Sequence, residues 1–135
     1  GFMSPLGVPC TKPPWGNLTA IDLNTGDHLW QIPLGTSKDL APFPFWWIKG
    51  APNIGGPTVT ASGLTFIAAT SDFYLRAFNT QTGEELAKFR LPTGGHATPM
   101  TYKTKNGRQI VVIAAGGHWA VGSPASDHLI AFALP

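Results

Sequence analysis

Charge is scarce in this sequence. Only 12% of the 135 residues are Asp, Glu, Lys or Arg, about half the usual share. The net charge is +2 and the basic residues are scattered, so we predict no nucleic-acid partner. No stretch approaches the ~18 uninterrupted apolar residues that span a bilayer, and no secretion signal is visible at the start. Composition therefore offers no charged or membrane-spanning surface from which to infer a function.

Cysteine is almost absent as well. Cys10 stands alone, so it cannot form a disulfide within this chain, and no Cys/His cluster has the spacing of a zinc site. We predict that Cys10 is a small packing residue rather than a nucleophile. The alternative is that it pairs with a cysteine outside this chain.

Helical periodicity is missing too, whereas turn formers are plentiful. The chain has 16 Gly and 13 Pro, a share that a disordered chain could carry. Five Trp and eight Phe argue against disorder. No segment of useful length repeats its apolar residues every 3.6 positions. Short strands joined by tight turns explain this composition, and the fold class predicted is all-β.

An internal repeat organises these strands. Residues 18–30 and 75–87 share Leu, Ala, an Asp or Asn, Thr-Gly and a later Leu at matching positions, and residues 129–134 carry a truncated third copy. Each full copy predicts a strand, a turn at Thr-Gly and a second strand. Asn106-Gly107, between two β-rich runs, predicts a hairpin.

Four-stranded units that recur in this way indicate β-propeller blades. We predict a partial β-propeller of about two and a quarter four-stranded antiparallel blades. Residues 17–34 would be the last two strands of one blade, 57–92 a complete blade, and 97–133 three strands of a final blade. Such an array leaves strand edges open. We therefore expect a C-terminal fragment, with the rest of the propeller or a second copy covering the edges.

One copy of the repeat carries a family motif. The string Ala20-Ile-Asp22-Leu-Asn-Thr25-Gly26-Asp-His-Leu-Trp30 resembles the tryptophan-docking motif of quinoprotein dehydrogenases, which are eight-bladed propellers. In that family the Trp of one blade packs on the next, burying roughly 150–250 Å². The second copy departs from the motif, with Asn79 for Asp and Ala87 for Trp.

Further motifs resemble the membrane-type PQQ-dependent glucose dehydrogenases over essentially the whole chain. They are residues 1–10 (GFMSPLGVPC), Pro13-Pro-Trp-Gly16, Gly55-Gly56-Pro57, Asp72-Phe-Tyr74-Leu-Arg-Ala77, Ala97-Thr-Pro-Met-Thr-Tyr102 and Ala115-Gly-Gly-His118. Quinoprotein alcohol dehydrogenases typically have Gly-Gly-Trp where this chain has Gly117-His118-Trp119. The resemblance therefore favours the sugar-oxidising branch.

This resemblance implies an enzyme that oxidises an aldose such as D-glucose to its lactone. PQQ accepts the hydride, Ca²⁺ or Mg²⁺ polarises the quinone, and ubiquinone takes the electrons. The location implied is the periplasmic face of the inner membrane. The base and the metal ligands belong to blades outside this chain, so we expect the chain alone to be inactive. The alternative is a non-catalytic propeller scaffold of the outer-membrane assembly type, which would have no use for Gly-Gly-His-Trp in a channel-side loop.

The resemblance also places several residues near PQQ. His118 could donate a hydrogen bond to cofactor or substrate, and its alternative is a loop histidine without a role. Asp72 is equally well explained as a turn former. Ile54 stands where alcohol-oxidising relatives have a Trp under the quinone, so its contact would be apolar. The cofactor-binding candidates are His118, Asp72, Ile54, Gly117 and Trp119.

Other conspicuous residues receive structural predictions. Arg76, between apolar strand residues, predicts a buried ion pair or hydrogen bond. His96, expected to begin a strand, is a weaker site candidate, and His28 and His128 are expected to be structural. The aromatic loop containing Trp46-Trp47 could cover the cofactor or face ubiquinone or a membrane, but we expect it to pack on the propeller face.

Overall fold

Three antiparallel sheets make up the part of the chain that the structure, a computed structural model, describes: residues 4–5 and 9–133. The first sheet contains β1 (Asn17–Ile21) and β2 (His28–Pro33). The second contains β3 (Thr58–Val59), β4 (Leu64–Ile67), β5 (Tyr74–Asn79) and β6 (Glu85–Arg90), in that order. The third contains β7 (Met100–Lys103), β8 (Gln109–Ala115) and β9 (His128–Ala133). The predicted all-β class and the propeller-type, up-and-down sheets are confirmed.

Turn chemistry sets the strand order. Gly26 and Gly83, the glycines of the two Thr-Gly turns, have φ of +80° and +74°, a region that glycine enters without steric cost. Gly107 of the Asn-Gly hairpin has φ of +78° and donates its N–H to the Thr104 carbonyl at 2.9 Å. Within each sheet, every strand therefore pairs with its neighbour in sequence, as in a propeller blade.

Two apolar clusters hold adjacent sheets together. Leu34, Ile67, Ala69 and Phe78 are buried between the first two sheets, with Leu18 and Ile32 packed against them. A second cluster joins the second and third sheets. It contains Ala68, Leu75, Leu91, Ile113 and Ala115, with Phe66, Val111, Ile130 and Phe132 packed against it. Since the hydrophobic core lies between sheets rather than within one, the sheets stabilise one another.

Trp30 docks the first sheet onto the second, as its motif predicts. Its indole Nε1–H donates to the Thr80 carbonyl at 3.0 Å. The ring lies against Gly83, where a Cβ would come within 2.8 Å of two ring atoms. The turn glycine of one sheet is therefore the docking surface for the tryptophan of its neighbour.

The second and third sheets meet without such a tryptophan. Ala87 occupies the Trp position, and Phe89 and Phe132, whose ring centroids are 4.9 Å apart, add to the apolar cluster that joins these sheets. A cavity of about 680 Å³ lies between these sheets, lined among others by Val59, Phe66 and Phe132. Paired phenylalanines therefore stand at this junction, where the first junction has a docked tryptophan.

Some predictions differ from the structure or lie outside it. Cys10 is exposed, so the prediction of a packing residue is wrong. Trp46 and Trp47 are 46% and 67% exposed, and their rings contact Phe43 and Phe45 of the same loop rather than packing on the sheets. Residues 1–3 and 6–8 of the N-terminal resemblance, and Leu134 of the third repeat copy, lie outside the described residues.

Helix is confined to two short 3-10 turns in the described part of the chain, Phe45–Trp47 and Trp119–Val121. Among these residues no helix has the length and apolar character needed to cross a membrane. His28 and His128, the two histidines expected to be structural, are the first residues of β2 and β9.

Candidate functional site

Four longer connections meet at one end of the sheets. In an up-and-down sheet, the last residue of one strand and the first residue of the next lie at the same end of the sheet. Residues 34–57, 68–73, 91–99 and 116–127 therefore share an end, which we call the long-loop end. The tight turns lie at the opposite end. Every candidate cofactor residue falls in one of the four long loops.

Backbone hydrogen bonds join these four loops into one continuous surface at the long-loop end, which we call the ledge. Ile54 donates its N–H to the Ala69 carbonyl at 2.8 Å, and Ala69 donates to the Gly95 carbonyl at 2.9 Å. Gly117 donates to the Gly94 carbonyl at 3.0 Å. Ala69 has φ of +54°, unusual for a residue with a Cβ, and this conformation lets its N–H and its carbonyl serve two different loops. The four loops are thus held in one arrangement by main-chain contacts.

His118 lies on this ledge at the start of the Trp119–Val121 turn. Its Nδ1 accepts a hydrogen bond from the Ala120 N–H at 3.2 Å. Because Nδ1 accepts, the neutral ring carries its proton on Nε2. Nε2 has no hydrogen-bond partner among the residues that the structure describes, and the ring is half-buried. His118 therefore presents one free donor at the long-loop end.

Gly117 and Trp119 flank this histidine and differ in what they can do. A Cβ on Gly117 would lie 1.8 Å from the Pro124 carbonyl oxygen, and its φ is +67°, so the position requires glycine. Trp119 is 89% exposed, and its ring stacks on His118 with centroids 6.0 Å apart. Ile54, on the neighbouring loop, is also exposed. Glycine shapes the loop, and the two exposed side chains offer apolar surface.

His96 connects the loops that carry Ile54 and His118. It lies in the loop before β7, four residues ahead of Met100, rather than at a strand start as predicted. Its Nδ1 is 3.2 Å from the Ile54 carbonyl and 3.3 Å from the Ala69 carbonyl, and its Nε2 is 2.9 Å from Ser123 Oγ. Its ring meets that of His118 edge-on, with centroids 6.1 Å apart. Ser123 was not singled out by sequence reasoning.

Asp72 does not face this ledge. Its side chain is fully buried, and Oδ1 accepts from Thr70 Oγ1 at 2.6 Å and from Arg76 Nη1 at 3.0 Å. Oδ2 accepts from Arg76 Nη2 and from the Thr36 N–H at 2.8 Å. The buried ion pair predicted for Arg76 is confirmed, and Glu85 adds a second carboxylate at 3.1 Å from Nε. These contacts give Asp72 an internal structural role, and a contact with cofactor stays a prediction.

Arg90 fastens the 34–57 loop to the same region. It donates from Nη1 and Nη2 to the two carboxylate oxygens of Asp39, at 2.6 and 2.7 Å, and from Nη1 to the Asp72 carbonyl at 2.9 Å. Hydrogen bonding to Asp39 raises the pKa of Arg90. The arginine therefore links the loop that leads to Ile54 with the turn that holds Asp72.

The Asp72 carboxylate makes the stability of the fold depend on pH in the acidic range. Burial alone would raise its pKa, but hydrogen bonds and the charge of Arg76, with Thr70 and the Thr36 N–H, hold the pKa below the usual 3.8. A carboxyl with a lowered folded pKa stabilises the fold above its unfolded pKa, and this contribution is lost as the pH falls through 3.8 towards the folded value. We expect the melting temperature to fall below about pH 5, more steeply than in an Asp72→Asn variant. Parallel pH curves for the two proteins would contradict this assignment.

The structure therefore brings together four of the five candidates and separates the fifth. Ile54, Gly117, His118 and Trp119 share the ledge, while Asp72 lies buried against Arg76. The ledge combines glycine backbone, apolar surface and one free imidazole donor. These groups suit one side of a planar, polar-edged ligand such as PQQ, because its ring needs flat apolar contact and its oxygens accept hydrogen bonds. Within residues 4–5 and 9–133, no group of three or more His, Cys, Asp or Glu is placed to hold a metal ion.

Up-and-down sheets docked through a tryptophan, with the longer loops gathered at one end, define the class as a β-propeller of the tryptophan-docking type. The PQQ family model described as the glucose/ethanol/alcohol dehydrogenase β-propeller domain matches residues 1–111. The chain therefore belongs to the PQQ-dependent dehydrogenase propeller family.

Individual relatives agree with this family. The chain is 49% identical to the quinoprotein glucose dehydrogenase of Escherichia coli (strain K12), over 99% of its own length and 17% of that protein. It is 52% identical to the quinate/shikimate dehydrogenase (quinone) of Acinetobacter baylyi, over 98% of its own length and 17% of the relative. Among solved structures, the quinohemoprotein alcohol dehydrogenase of Comamonas testosteroni matches with a TM-score of 0.59 and 31% identity, covering 81% of this chain and 14% of that one. The chain thus spans about a sixth of the length of its curated relatives.

Proposed function

We propose that this chain forms part of the propeller of a PQQ-dependent dehydrogenase, here called the parent protein, and that the long-loop end is part of the wall of its PQQ site. In this proposal the first sheet is the outer half of one blade, the second a complete blade, and the third three strands of a last blade. The observation that carries the proposal is the ledge, since it unites four loops and leaves the His118 Nε2–H free. The rest of the propeller would cover the exposed apolar residues at sheet surfaces, such as Leu29, Leu86 and Leu129.

Each ledge residue has a distinct role in this proposal. When bound, PQQ supplies the two-electron acceptor for substrate oxidation. His118 donates from Nε2 to an acceptor oxygen of cofactor or substrate, and its ring is held by the Ala120 N–H. Ile54 and Trp119 offer apolar surface and exclude water. Gly117 lets the backbone that leads into His118 pack against the Pro124 carbonyl. The proton-accepting base and the ligands of Ca²⁺ or Mg²⁺ belong to other blades of the parent protein.

The substrate proposed is an aldose such as D-glucose, oxidised at C1 to its lactone. The electrons pass to ubiquinone at the periplasmic face of the inner membrane. Similarity to the glucose dehydrogenase of Escherichia coli supports this choice, although the quinate/shikimate dehydrogenase is as similar. His118, in place of the Trp typical of alcohol-oxidising members, favours a substrate rich in hydroxyl groups, because an imidazole can donate to them.

A substrate panel tests this proposal. The parent protein, loaded with PQQ and Ca²⁺, is expected to reduce an artificial dye with D-glucose and not with quinate. His118→Ala should lower kcat/KM for glucose about tenfold or more, as expected for loss of a hydrogen bond made to the reacting complex. His28→Ala, which alters an exposed histidine at the opposite end of the sheets, is the control and should be neutral. Dye reduction with quinate but not with glucose would replace the proposed substrate by quinate. If no substrate gave PQQ-dependent dye reduction, the proposed function would be wrong.

A further inference from the structure

We propose that His96 is a positioning residue at the long-loop end, the surface proposed above to form part of the wall of the PQQ site. It would fasten the loop of residues 116–127, and with it His118, to the loops of residues 34–57 and 68–73. This inference rests on the proposed function only for its effect on PQQ. The fastening itself is visible in the contacts of the ring and can be tested without cofactor.

The hydrogen bonds of His96 have a defined direction. Nδ1 faces two carbonyl oxygens, those of Ile54 and Ala69, at 3.2 and 3.3 Å. Carbonyl oxygens only accept, so Nδ1 carries a proton. In the neutral ring Nε2 then accepts from the Ser123 hydroxyl at 2.9 Å. One ring thereby joins three loops, using both of its nitrogens.

The surrounding backbone leaves this ring little room to move. A Cβ on Gly94 would lie 2.2 Å from His96 Nε2 and 2.6 Å from Ser123 Oγ, so the glycine admits the His–Ser pair. Two neighbouring hydrogen bonds also join the loop of residues 91–99, which carries His96, to the loop of residues 116–127. Thr93 Oγ1 donates to the Pro124 carbonyl at 2.6 Å, and Gly117 donates to the Gly94 carbonyl at 3.0 Å. His96 is thus the side-chain centre of a three-point attachment.

His118 lies inside the segment that this attachment closes. The Ser123 N–H donates to the His118 carbonyl at 3.2 Å, so Ser123 holds the His118 backbone as well as the His96 ring. The His96 ring also meets the His118 ring edge-on at 6.1 Å. Losing His96 would free Ser123 Oγ and remove the ring against which His118 rests. The free donor of His118 would then no longer have a fixed place.

Amide hydrogen exchange in the cofactor-free parent protein tests the attachment directly. In His96→Ala, exchange of peptides covering residues 117–123 is expected to rise at least about tenfold. Ser123→Ala should have a similar effect, and the double variant should add little, because both changes remove one shared bond. His96→Gln retains an amide that can reach Ser123 and should restore most of the protection. His128→Ala is the matched control, since it removes a histidine that pairs with Ser126 outside residues 117–123.

PQQ affinity provides the second readout. The quenching of tryptophan fluorescence on PQQ addition should show a dissociation constant at least about fivefold higher in His96→Ala than in the wild type, with His96→Gln close to wild type. Unchanged exchange in both His96→Ala and Ser123→Ala, or additive effects in the double variant, would refute the positioning role. If exchange rises as expected but the wild-type parent protein binds no PQQ, the attachment stands and the proposed function fails. If His96→Ala does not fold, Ser123→Ala decides the question.

Discussion

Replacing Asp72 by Asn is expected to lower the free energy of unfolding by about 3 to 5 kcal/mol. The substitution removes the negative charge that compensates the Arg76 guanidinium, whose side chain is only 5% exposed. Glu85 cannot replace it, because that carboxylate is 39% exposed and contacts only Nε. The amide of Asn also offers one acceptor oxygen where Asp72 uses two. Thermal and urea unfolding of the parent protein measure the loss. Hydrogen exchange of the β5 amides then shows whether the loss is local to the strand that carries Arg76.

Two further variants separate charge from packing. Asp22→Asn changes an Asp of the first Thr-Gly turn, where the side chain accepts from the Asn24 N–H at 2.8 Å, and it should cost less than about 1 kcal/mol. The double variant Asp72→Leu, Arg76→Met removes both charges together. It should be less destabilised than Asp72→Asn, since no buried charge is left without a partner. A loss below about 1 kcal/mol for Asp72→Asn would show that Arg76 finds compensation elsewhere.

The strands and their docking were predictable from sequence, because local rules govern them. Thr-Gly and Asn-Gly turns fix which strands pair, and the repeat carries the docking Trp30 with the glycine that receives it. Even the exception at Ala87 could be read in advance as a missing contact. Strand pairing between neighbours in sequence leaves few alternatives, so short-range signals were sufficient.

The site was less predictable, because its contacts join residues far apart in sequence. His96 and Ser123 are 27 positions apart, and no local pattern marks Ser123 as the partner of a histidine. The role of Asp72 also depended on a distant group, the Thr36 N–H, which with Arg76 and Thr70 saturates its carboxylate. Sequence motifs named the candidate residues, and the strand order then showed that their loops lie at one end of the sheets. Which side chains face outwards there required coordinates.

Replacing Trp30 by Ala is expected to destabilise the protein by about 2 to 3 kcal/mol, less than the loss for a fully buried tryptophan, since the ring is only half-buried. The substitution removes the contact with Gly83 and the hydrogen bond to the Thr80 carbonyl. The first sheet should then separate more easily from the second, with faster exchange in β1 and β2 than in β8. Trp119→Ala is the control, because that side chain is 89% exposed and should leave stability within about 0.5 kcal/mol.

Gly83→Ala approaches the same contact from the other side. A Cβ at this position would lie 2.8 Å from two atoms of the Trp30 ring, and the φ of +74° disfavours alanine in any case. Gly26→Ala is the matched variant, since its φ is +80° but nothing lies within 4 Å of the added Cβ. The difference between the two losses therefore measures the docking contact without the backbone cost. That difference should disappear in a Trp30→Ala background, because the methyl group would then meet no ring. Equal losses for the two glycines in the wild-type background would mean that the turn alone, and not the docked tryptophan, requires glycine at position 83.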